Sequence, residues 1–536
     1  MASLGFCCPT NSFLFSRSSL VNHRSNLQTR FIVSSSTSSS ELVTQSAVSG
    51  STERPRTSLG LKNLTEIFWV DVHCAEGRPL NVGLQEPVTV GCSRLEKVEN
   101  VAVRVELSNG CVGWGEVSVV PWVNWNQATA LEEVRKACEF LSQGSPVTLN
   151  LVLHQISEMF PGSEFASVRR GAALECLRPS IEGIVFVGIL SSIYREKSKE
   201  VYGSESVSIG ENMICTLTKE VPVRAGLEMA LVDAVANSID VPLWRLFGGV
   251  SDSLSTATTI PTTSSAKAFD LAAKYYKLGF KTLEIKLGRN LNADIEVLQA
   301  VRAAHPHCLF ILDANEGYTS KEAIEVLHKL NEKGVIPTVF EQPVHRDDWR
   351  GLGDVSNVAR HKYGVSVAAD ESCRDLTDIK KLMEENLVDV INIKLSKFGV
   401  LGILEIVEMV KKSGLELMID SVAETRLATG VAGHLAAGLG CFSSRSNSHF
   451  FRLKRVFAVE RFEARKYVNI SAPSLLSEDP VVGGYEVLNI NTLQNKKLKQ
   501  YNSRYSIFLM LVAGSKYKFV NSRGQGGFLK WDIFSW

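Results

Sequence analysis

Five charged side chains recur at the ends of short apolar segments in the second half of the chain. Each follows its predecessor by about the length of one strand and one helix. Because parallel strands of one sheet end at the same edge, we expect these side chains to lie at one level, where β/α barrels build their active sites. They are Lys286, Asp313, Glu341, Asp370 and Lys394.

Three carboxylates and two ammonium groups in this order predict one kind of site. Any one carboxylate alone is more often a solvated loop residue. All five charged residues, however, stand at the same point of successive strand–helix units, which favours a catalytic site. Crowded carboxylates repel each other unless a cation compensates, and oxygen ligands without Cys or His favour Mg²⁺, with Mn²⁺ as an alternative. A cation that binds a substrate carboxylate can stabilise an enediolate, while lysines on either side exchange the α-proton. Such a site can invert a stereocentre.

The segments around these residues alternate between strand and helix. After a helix at "AGLEMALVDAVANS", six short apolar strands alternate with helices, which indicates a parallel sheet and favours a β/α barrel. The predicted strands span 282–287, 309–315, 338–343, 365–372, 388–395 and 415–420. Upstream, a hairpin at 101–117 and an amphipathic helix at 128–141 predict a small α+β domain.

Composition excludes several classes of function. The chain has 536 residues and a net charge of +1, which gives no electrostatic case for nucleic-acid binding. Its 11 cysteines form no CxxC pair, so we expect reduced thiols rather than a zinc site or a disulfide framework. No apolar stretch reaches membrane-spanning length. The expected partner is therefore a small-molecule carboxylate, with neither nucleic acid nor membrane.

The first forty residues have the composition of an organellar transit peptide. They contain twelve serines and no Asp or Glu, and Arg17, Arg24 and Arg30 are spaced among them. We expect residues 1–62 to be transit peptide and linker, with the mature protein starting within 41–65. A plastid is the favoured location, and the cytoplasm and the mitochondrion are the alternatives.

These stretches resemble the enolase superfamily, in its mandelate racemase/muconate lactonizing group. The resemblance implies a modified (β/α)7β TIM barrel over 225–442, an N-terminal α+β capping domain over 63–168, and a homo-oligomer. Within the group, "ILDANEGY", "FEQPVHRDDW" and "GVSVAADES" are most similar to dipeptide epimerases. The motifs that carry the resemblance are "ALVDAVANSIDVPLWRLFGG" (230–249), "DAN" (313–315), "FEQP" (340–343), "AADES" (368–372), "NIKLSKFG" (392–399) and "WGE" (114–116).

The resemblance implies a role for each of the five residues. Asp313, Glu341 and Asp370 would bind Mg²⁺, Lys394 would be the base on one face of the substrate, and Lys286 would be the acid/base on the other. The implied reaction is epimerisation of a dipeptide such as L-Ala-L-Glu. Cycloisomerases and o-succinylbenzoate synthases share the lysines and the carboxylates, so both remain alternatives.

The sequence departs from the family pattern at two places in the expected site. In the family the strand reads Lys-x-Lys, whereas here it reads Glu284-Ile285-Lys286. We expect Glu284 to raise the pKa of Lys286, to repel an anionic substrate and to weaken catalysis at least ten- to a hundredfold. A folded, metal-binding but catalytically impaired paralogue is therefore a further alternative.

The second departure follows the strand at 415–420. Relatives often carry Gly-Gly-Met where this chain has Asp420-Ser421-Val422, shortly before Glu424. Asp420 can meet the α-ammonium group of a dipeptide, or it can be a second unfavourable charge. Glu284, Asp420 and Glu424 are the candidate substrate-binding residues.

Three segments do not resemble the family. They are 170–224, 443–472 and about 491–518, the last within a C-terminal return to the capping domain over 473–536. Each lies at an element boundary, which favours retained intron translation or an error in the gene model. Surface loops are the alternative, because long loops are tolerated thermodynamically.

Overall fold

The computed structural model describes nine stretches of the chain, and every structural statement below concerns them. The predicted transit peptide lies almost wholly outside these stretches, as does most of each atypical segment. Within them, no helix combines the length and the apolar character needed to cross a membrane. The described residues are 59–90, 93–119, 125–160, 221–287, 290–411, 413–442, 468–488, 515–519 and 521–531.

The secondary structure follows the predicted order of a mixed domain and then alternating strands and helices. The strands are β1 (Trp69–Val70), β2 (Val72–Val90), β3 (Ser93–Leu107), β4 (Val112–Val117), β5 (Val147–Thr148), β6 (Ser253–Ser255), β7 (Thr258–Ile260), β8 (Thr282–Lys286), β9 (Leu309–Asp313), β10 (Val339–Glu341), β11 (Ser366–Ala369), β12 (Val390–Lys394), β13 (Glu416–Asp420), β14 (Val468–Asn469), β15 (Val481–Gly483), β16 (Tyr485–Leu488), β17 (Lys516–Phe519) and β18 (Gly527–Leu529). The α-helices are α1 (Leu59–Ile67), α2 (Gln127–Gln143), α3 (Leu149–Met159), α4 (Val221–Ser238), α5 (Leu243–Leu246), α6 (Ser265–Lys277), α7 (Leu291–Ala304), α8 (Ser320–Glu332), α9 (Trp349–Val358), α10 (Leu376–Glu384), α11 (Leu395–Val410) and α12 (Arg426–Leu439).

The N-terminal domain is an antiparallel sheet of β2, β3 and β4 that packs against helices. Its strand β4 contacts α4 so closely that two of its positions require glycine. A Cβ atom on Gly113 would lie 2.1 Å from the carbonyl oxygen of Ala230, and one on Gly115 would lie 2.0 Å from that of Gly226. This close approach fixes the "WGE" segment of β4 against the first helix of the barrel domain.

The second domain is an eight-stranded parallel barrel, as predicted. Strands β7 to β14 are adjacent in chain order, and every pair within the series is parallel. A hydrogen bond of 2.7 Å from the N–H of Ala257, the residue before β7, to Val468 O of β14 connects the two ends of the series. The predicted strands correspond to β8–β13, whereas the short strands β7 and β14 were not predicted.

The ends of the three atypical segments belong to the fold. Helix α4 begins at Val221, so residues 221–224, assigned to the first of these segments, are helical and buried. Strand β14 completes the barrel from within 443–472. Strand β17 pairs with both β16 and β6, although 516–518 fall in the third segment. The boundaries of the three segments themselves stay predictions.

Candidate active site

The barrel brings the predicted residues to one level at the carboxyl ends of its strands. In the strand register, Lys286 pairs with Asp313, Asp313 pairs with Glu341, and Lys394 pairs with Asp420. Asp370 directly follows β11. Their common level arises because each is the last residue of its strand, or the residue after it.

A cluster of three carboxylates lies at the centre of this level. One oxygen from each of Glu284, Asp313 and Glu341 lies within 4.8 Å of the other two, and all three residues are buried. Glu341 Oε1 accepts a hydrogen bond of 2.7 Å from Asn392 Nδ2, but its buried Oε2 has no hydrogen-bond partner among the described residues. Asp370, the third ligand that the resemblance implies, is not one of these three mutually close carboxylates.

Asp370 lies beside the cluster and is bound by two lysines. Its Oδ2 atom accepts a hydrogen bond of 2.7 Å from Lys394 Nζ, and its Oδ1 atom accepts one of 2.7 Å from Lys397 Nζ. Lys397 Nζ also donates to the backbone oxygen of Asp370 at 2.6 Å. Although burial opposes it, the charges of Lys394 and Lys397 hold the pKa of Asp370 well below its ordinary value. Its role as a metal ligand stays a prediction.

Both predicted acid/base lysines form ion pairs with carboxylates. Lys286 Nζ lies 2.5 Å from Asp313 Oδ2 and 2.5 Å from Glu284 Oε1. Burial alone lowers the pKa of a lysine, but the charges of Asp313 and Glu284 outweigh it and raise the pKa of Lys286 well above its ordinary value. The predicted effect of Glu284 on this pKa is therefore confirmed in direction, although Asp313 raises it more.

Lys394 has a matching environment on the other side of the barrel. Its Nζ atom contacts Asp370 and lies 3.4 Å from Asp420 Oδ2, and these charges raise the pKa of Lys394 against the effect of burial. In the sheet order, β12 is four strands from β8 in a barrel of eight. Lys286 and Lys394 therefore face the centre of the barrel mouth from opposite sides.

Glu284 is held on its outer side by two polar residues. Its Oε2 atom accepts a hydrogen bond of 2.5 Å from Thr259 Oγ1 and another from Asn469 Nδ2. These donors come from β7 and β14, the two strands that close the barrel. The pKa of Glu284 is lowered because the charge of Lys286 and the hydrogen bonds from Lys286 and Thr259 outweigh burial.

The two further candidate substrate residues lie after β13. Burial is the main cause that raises the pKa of Asp420 to about 7 and that of Glu424 to about 8. Glu424 Oε1 accepts a hydrogen bond of 2.6 Å from Ser118 Oγ of the N-terminal domain. Glu424 therefore lies where that domain covers the barrel mouth. The structure leaves the substrate contacts of both residues as predictions.

The donor set fits a hard divalent cation. The cluster offers only carboxylate oxygens, and burial together with the charges of Asp313 and Asp370 raises the pKa of Glu341 well above its ordinary value. A bound cation would remove this repulsion, and Glu341 Oε2, which has no hydrogen-bond partner among the described residues, could coordinate it. Asp313 and Glu341 belong to this site in both the sequence-based prediction and the structure.

Comparison with known proteins identifies the family. The L-Ala-D/L-amino acid epimerase of Populus trichocarpa is 48% identical over 493 residues, which cover 92% of this chain and 93% of that protein. The chain belongs to the dipeptide epimerases of the enolase superfamily. An L-Ala-D/L-Glu epimerase from Thermotoga maritima is 36% identical over 236 residues, covering 44% of this chain and 67% of the relative. The family model described as enolase C-terminal domain-like matches residues 267–473.

Solved structures of dipeptide epimerases share the fold. The substrate-liganded L-Ala-D/L-Glu epimerase of Bacillus subtilis superposes with a TM-score of 0.62 and 24% identity, covering 85% of this chain and 98% of that one. The Enterococcus faecalis dipeptide epimerase complexed with Mg and L-Leu-L-Tyr gives a TM-score of 0.60 and 23% identity, covering 85% and 99%. The capped barrel predicted from sequence is thus the fold of the dipeptide epimerases.

Several polar residues of this epimerase site were missed from sequence. Asn392 is two residues before Lys394 on one strand, so strand alternation places both on the barrel interior. Lys397 lies three residues after Lys394, close to one helical turn, and that spacing was the available signal. For Thr259 and Asn469 no signal was available, because neither of their strands was predicted.

Proposed function

We propose that this protein is a Mg²⁺-dependent dipeptide epimerase that exchanges the proton at an α-carbon next to a carboxylate. The observation that carries this proposal is the placement of Lys286 and Lys394 on opposite strands, with buried carboxylates between them. A substrate α-carbon between two such lysines can lose a proton to one face and regain it from the other. The names of the relatives support a dipeptide as the substrate.

Different residues of the barrel would carry out proton transfer, cation binding and orientation of the ligands. Lys394 and Lys286 transfer the proton on opposite faces of the α-carbon. Asp313 and Glu341 would hold the cation, which supplies positive charge to stabilise the substrate carboxylate as the α-proton leaves. Asn392 orients Glu341 through its hydrogen bond of 2.7 Å. The N-terminal domain contacts Glu424 through Ser118, and a substrate beneath this contact would be shielded from water.

A dipeptide also carries an α-ammonium group, and the acidic residues after β13 suit that charge. Asp420 and Glu424 are buried carboxylates, and burial raises the pKa of Asp420 to about 7 and that of Glu424 to about 8, so a nearby positive charge would stabilise their ionised forms. We assign Asp420 to the ammonium group of the substrate. Replacing Asp420 with Asn should then raise KM for a dipeptide but leave KM for its N-acetylated form unchanged.

A panel of dipeptides tests the proposed reaction. Each L,L-dipeptide is incubated with the protein and Mg²⁺, and the L,D product is quantified by chiral chromatography. Epimer formation that stops on addition of EDTA and returns with excess Mg²⁺ supports the proposal. The cycloisomerase and o-succinylbenzoate synthase alternatives predict turnover of lactone or cyclohexadiene-carboxylate substrates and no epimer.

A weakly active epimerase is the second candidate, and the position of Glu284 favours it. Lys286 must lose its proton to act as a base, and the 2.5 Å contact with Glu284 opposes that loss. This candidate predicts metal binding with slow α-proton exchange. Fast turnover by the unmodified protein excludes it.

We also propose that residues 1–40 direct the chain to a plastid. The support is compositional, since this stretch contains twelve serines, three arginines and no acidic residue. A fusion of residues 1–62 to a fluorescent protein should accumulate in chloroplasts of leaf cells. Diffuse cytosolic or mitochondrial fluorescence would contradict this assignment.

A homo-oligomer is proposed from the family resemblance alone. Light scattering coupled to size-exclusion chromatography gives the mass of the particle in solution. A mass that is a multiple of that of one chain supports the assembly, whereas the mass of a single chain contradicts it.

A further inference from the structure

Gln342 directly follows the last residue of β10, and its side chain is fully buried at the carboxyl ends of the barrel strands. Its amide uses all four of its hydrogen-bonding positions. The oxygen Oε1 accepts from the backbone N–H groups of Asp370 at 2.9 Å and of Ser372 at 3.1 Å. The nitrogen Nε2 donates to Val344 O and to Ser372 Oγ, both at 2.9 Å. One neutral side chain therefore holds the backbone of the segment that contains Asp370.

The backbone of Gln342 connects the neighbouring segments as well. Its N–H group donates to Ala368 O of β11, and its carbonyl oxygen accepts from the N–H group of Glu316, each at 2.9 Å. Glu316 lies three residues after Asp313, and Glu341 is the residue bonded to Gln342 itself. Gln342 therefore links the three segments that carry the carboxylates which the resemblance assigns to the cation.

The backbone at this level of the barrel has an uncommon conformation. Among the described residues, five that are not glycine have a positive φ, and three of these follow β9 or β10: Asn315 at 42°, Glu316 at 66° and Gln342 at 33°. A positive φ is unfavourable for a residue with a side chain, so it persists only where the surrounding contacts fix it. The hydrogen bonds of Gln342 supply such contacts, and this concentration of strain indicates that the shape of these turns serves the site.

We infer that Gln342 is a positioning residue for cation binding, because it fixes the place of Asp370 relative to Glu341. Its own amide has no hydrogen-bonding position left for a ligand, so it acts through Asp370. An amide is required here, since neither a carboxylate nor an apolar side chain of the same length can accept from two N–H groups and also donate to a carbonyl oxygen. The inference rests on the proposed function, which needs the cation.

Mn²⁺ binding to the full chain tests the inference without measuring activity. The metal-stripped protein is titrated with Mn²⁺, and free Mn²⁺ is followed by electron paramagnetic resonance. Gln342→Met keeps the length of the side chain and removes its four hydrogen bonds. Gln525→Met is the matched control, because Gln525 is also a buried glutamine, and its contacts are with Trp114 of β4 and Asp233 of α4 rather than with the strand ends of the barrel. Circular dichroism establishes that each variant is folded.

The inference predicts that Gln342→Met weakens Mn²⁺ binding at least tenfold, as the loss of a residue that orients a metal ligand usually does, whereas Gln525→Met changes it by less than about threefold. Ser372→Ala is a milder second variant, because it removes only the hydroxyl that accepts from Gln342 and donates to Arg346 O at 3.0 Å. It should weaken binding about fivefold, the usual value of one neutral hydrogen bond. A loss for Gln342→Met no larger than that for Gln525→Met overturns the inference. If Gln342→Met does not fold, unchanged binding by Ser372→Ala overturns it.

A double-mutant cycle tests whether Gln342 acts through Asp370. Asp370→Asn should weaken Mn²⁺ binding by itself. Adding Gln342→Met to that variant should then cost much less than it costs in the unmodified chain, because the side chain that Gln342 positions has already lost its charge. Losses that are fully additive contradict action through Asp370.

The outcomes separate this inference from the proposed function. If the unmodified protein binds Mn²⁺ and Gln342→Met binds it equally well, the inference alone fails. If Gln342→Met weakens Mn²⁺ binding but the unmodified protein epimerises no dipeptide, the positioning role stands and the proposed reaction fails. If the unmodified protein binds no Mn²⁺, both fail.

Discussion

The ammonium group of Lys286 lies 2.5 Å from a carboxylate oxygen of Glu284, two residues earlier on the same strand. Strand alternation places both side chains on the interior of the barrel, so a charge change at position 284 acts directly on Lys286. Glu284, which departs from the family's Lys-x-Lys pattern, therefore contacts the acid/base group of Lys286 directly.

Glu284→Lys should therefore raise the turnover number ten- to a hundredfold at saturating metal. A lysine at this position lowers the pKa of Lys286 by repulsion between like charges, which makes Lys286 a better base at neutral pH. The turnover number is read from a Mg²⁺ titration, so that an effect on metal binding does not mask the effect on Lys286. No gain in turnover at saturating Mg²⁺ would show that Glu284 does not limit catalysis.

Each acid/base lysine should control one face of the substrate. Lys394→Met and Lys286→Met should each reduce epimerisation by about 10²–10⁴-fold, the usual contribution of a positioned acid or base. Because the opposite lysine remains, each variant should still exchange the α-proton of one epimer with solvent deuterium, and the two variants should differ in which epimer that is. Lys411→Met, at an exposed position that pairs with Glu408, is the control. Loss of exchange for both epimers in both variants contradicts the two-face arrangement.

The attachment of the N-terminal domain to the barrel should be weakened when Glu116 is replaced. Glu116 accepts hydrogen bonds from Thr425 Oγ1 at 2.6 Å, from Asn100 Nδ2 at 2.7 Å and from the backbone N–H groups of Thr425 and Ala428 at the start of α12. Glu116→Ala leaves these buried donors unpaired, so it should reduce the free energy of unfolding by about 3 kcal/mol. Denaturant unfolding measures this loss, and Glu132→Ala at the exposed surface serves as the control. Equal stability of the two variants would refute this role.

His434 should make the protein less stable in mild acid. The side chain is buried, its Nδ1 atom accepts from Trp244 N at 3.1 Å, and burial lowers the pKa of His434 to about 3. In the unfolded chain the imidazole of His434 is protonated below about pH 6.5, whereas in the folded chain it stays neutral until about pH 3. Stability is therefore lost as pH falls through this window, by about 1.4 kcal/mol per pH unit.

The variant His434→Gln isolates this contribution. Unfolding free energies measured at pH 7 and pH 5 should differ by about 2 kcal/mol less in His434→Gln than in the unmodified protein. His361→Gln, at an exposed position, should keep the full difference. If His434→Gln retains the same pH dependence, other groups cause the acid sensitivity.

The sequence was sufficient for the barrel wherever its strands end in a charged residue. Strands β8–β13 combine apolar runs with a charged residue at or just after the carboxyl end, so the apolar pattern and the spacing of the charged residues both predicted the same strands. Strands β7 and β14 have three and two residues, too few for any periodicity to show. Asn469 was missed for the same reason, and also because its strand lies within 443–472, a segment that does not resemble the family.

The membership of the carboxylate cluster could not be predicted from strand ends alone. Spacing along the chain places Asp313, Glu341 and Asp370 at one level but does not decide which oxygens converge. That depends on competition for Asp370 by Lys394 and Lys397, and on the hydrogen bonds from β7 and β14 that hold Glu284. Such contacts are formed between distant parts of the chain and leave no local signal.

The central claim is that Lys286 and Lys394 exchange an α-proton, and proton NMR in D₂O tests it most directly. The protein is incubated with Mg²⁺ and L-Ala-L-Glu, and the α-proton signal of the Glu residue is followed with and without EDTA. The account predicts that this signal disappears only when Mg²⁺ is available, with the L,D epimer forming alongside. A signal that persists in the presence of folded, Mg²⁺-loaded protein, for this and every other dipeptide tried, would contradict the account.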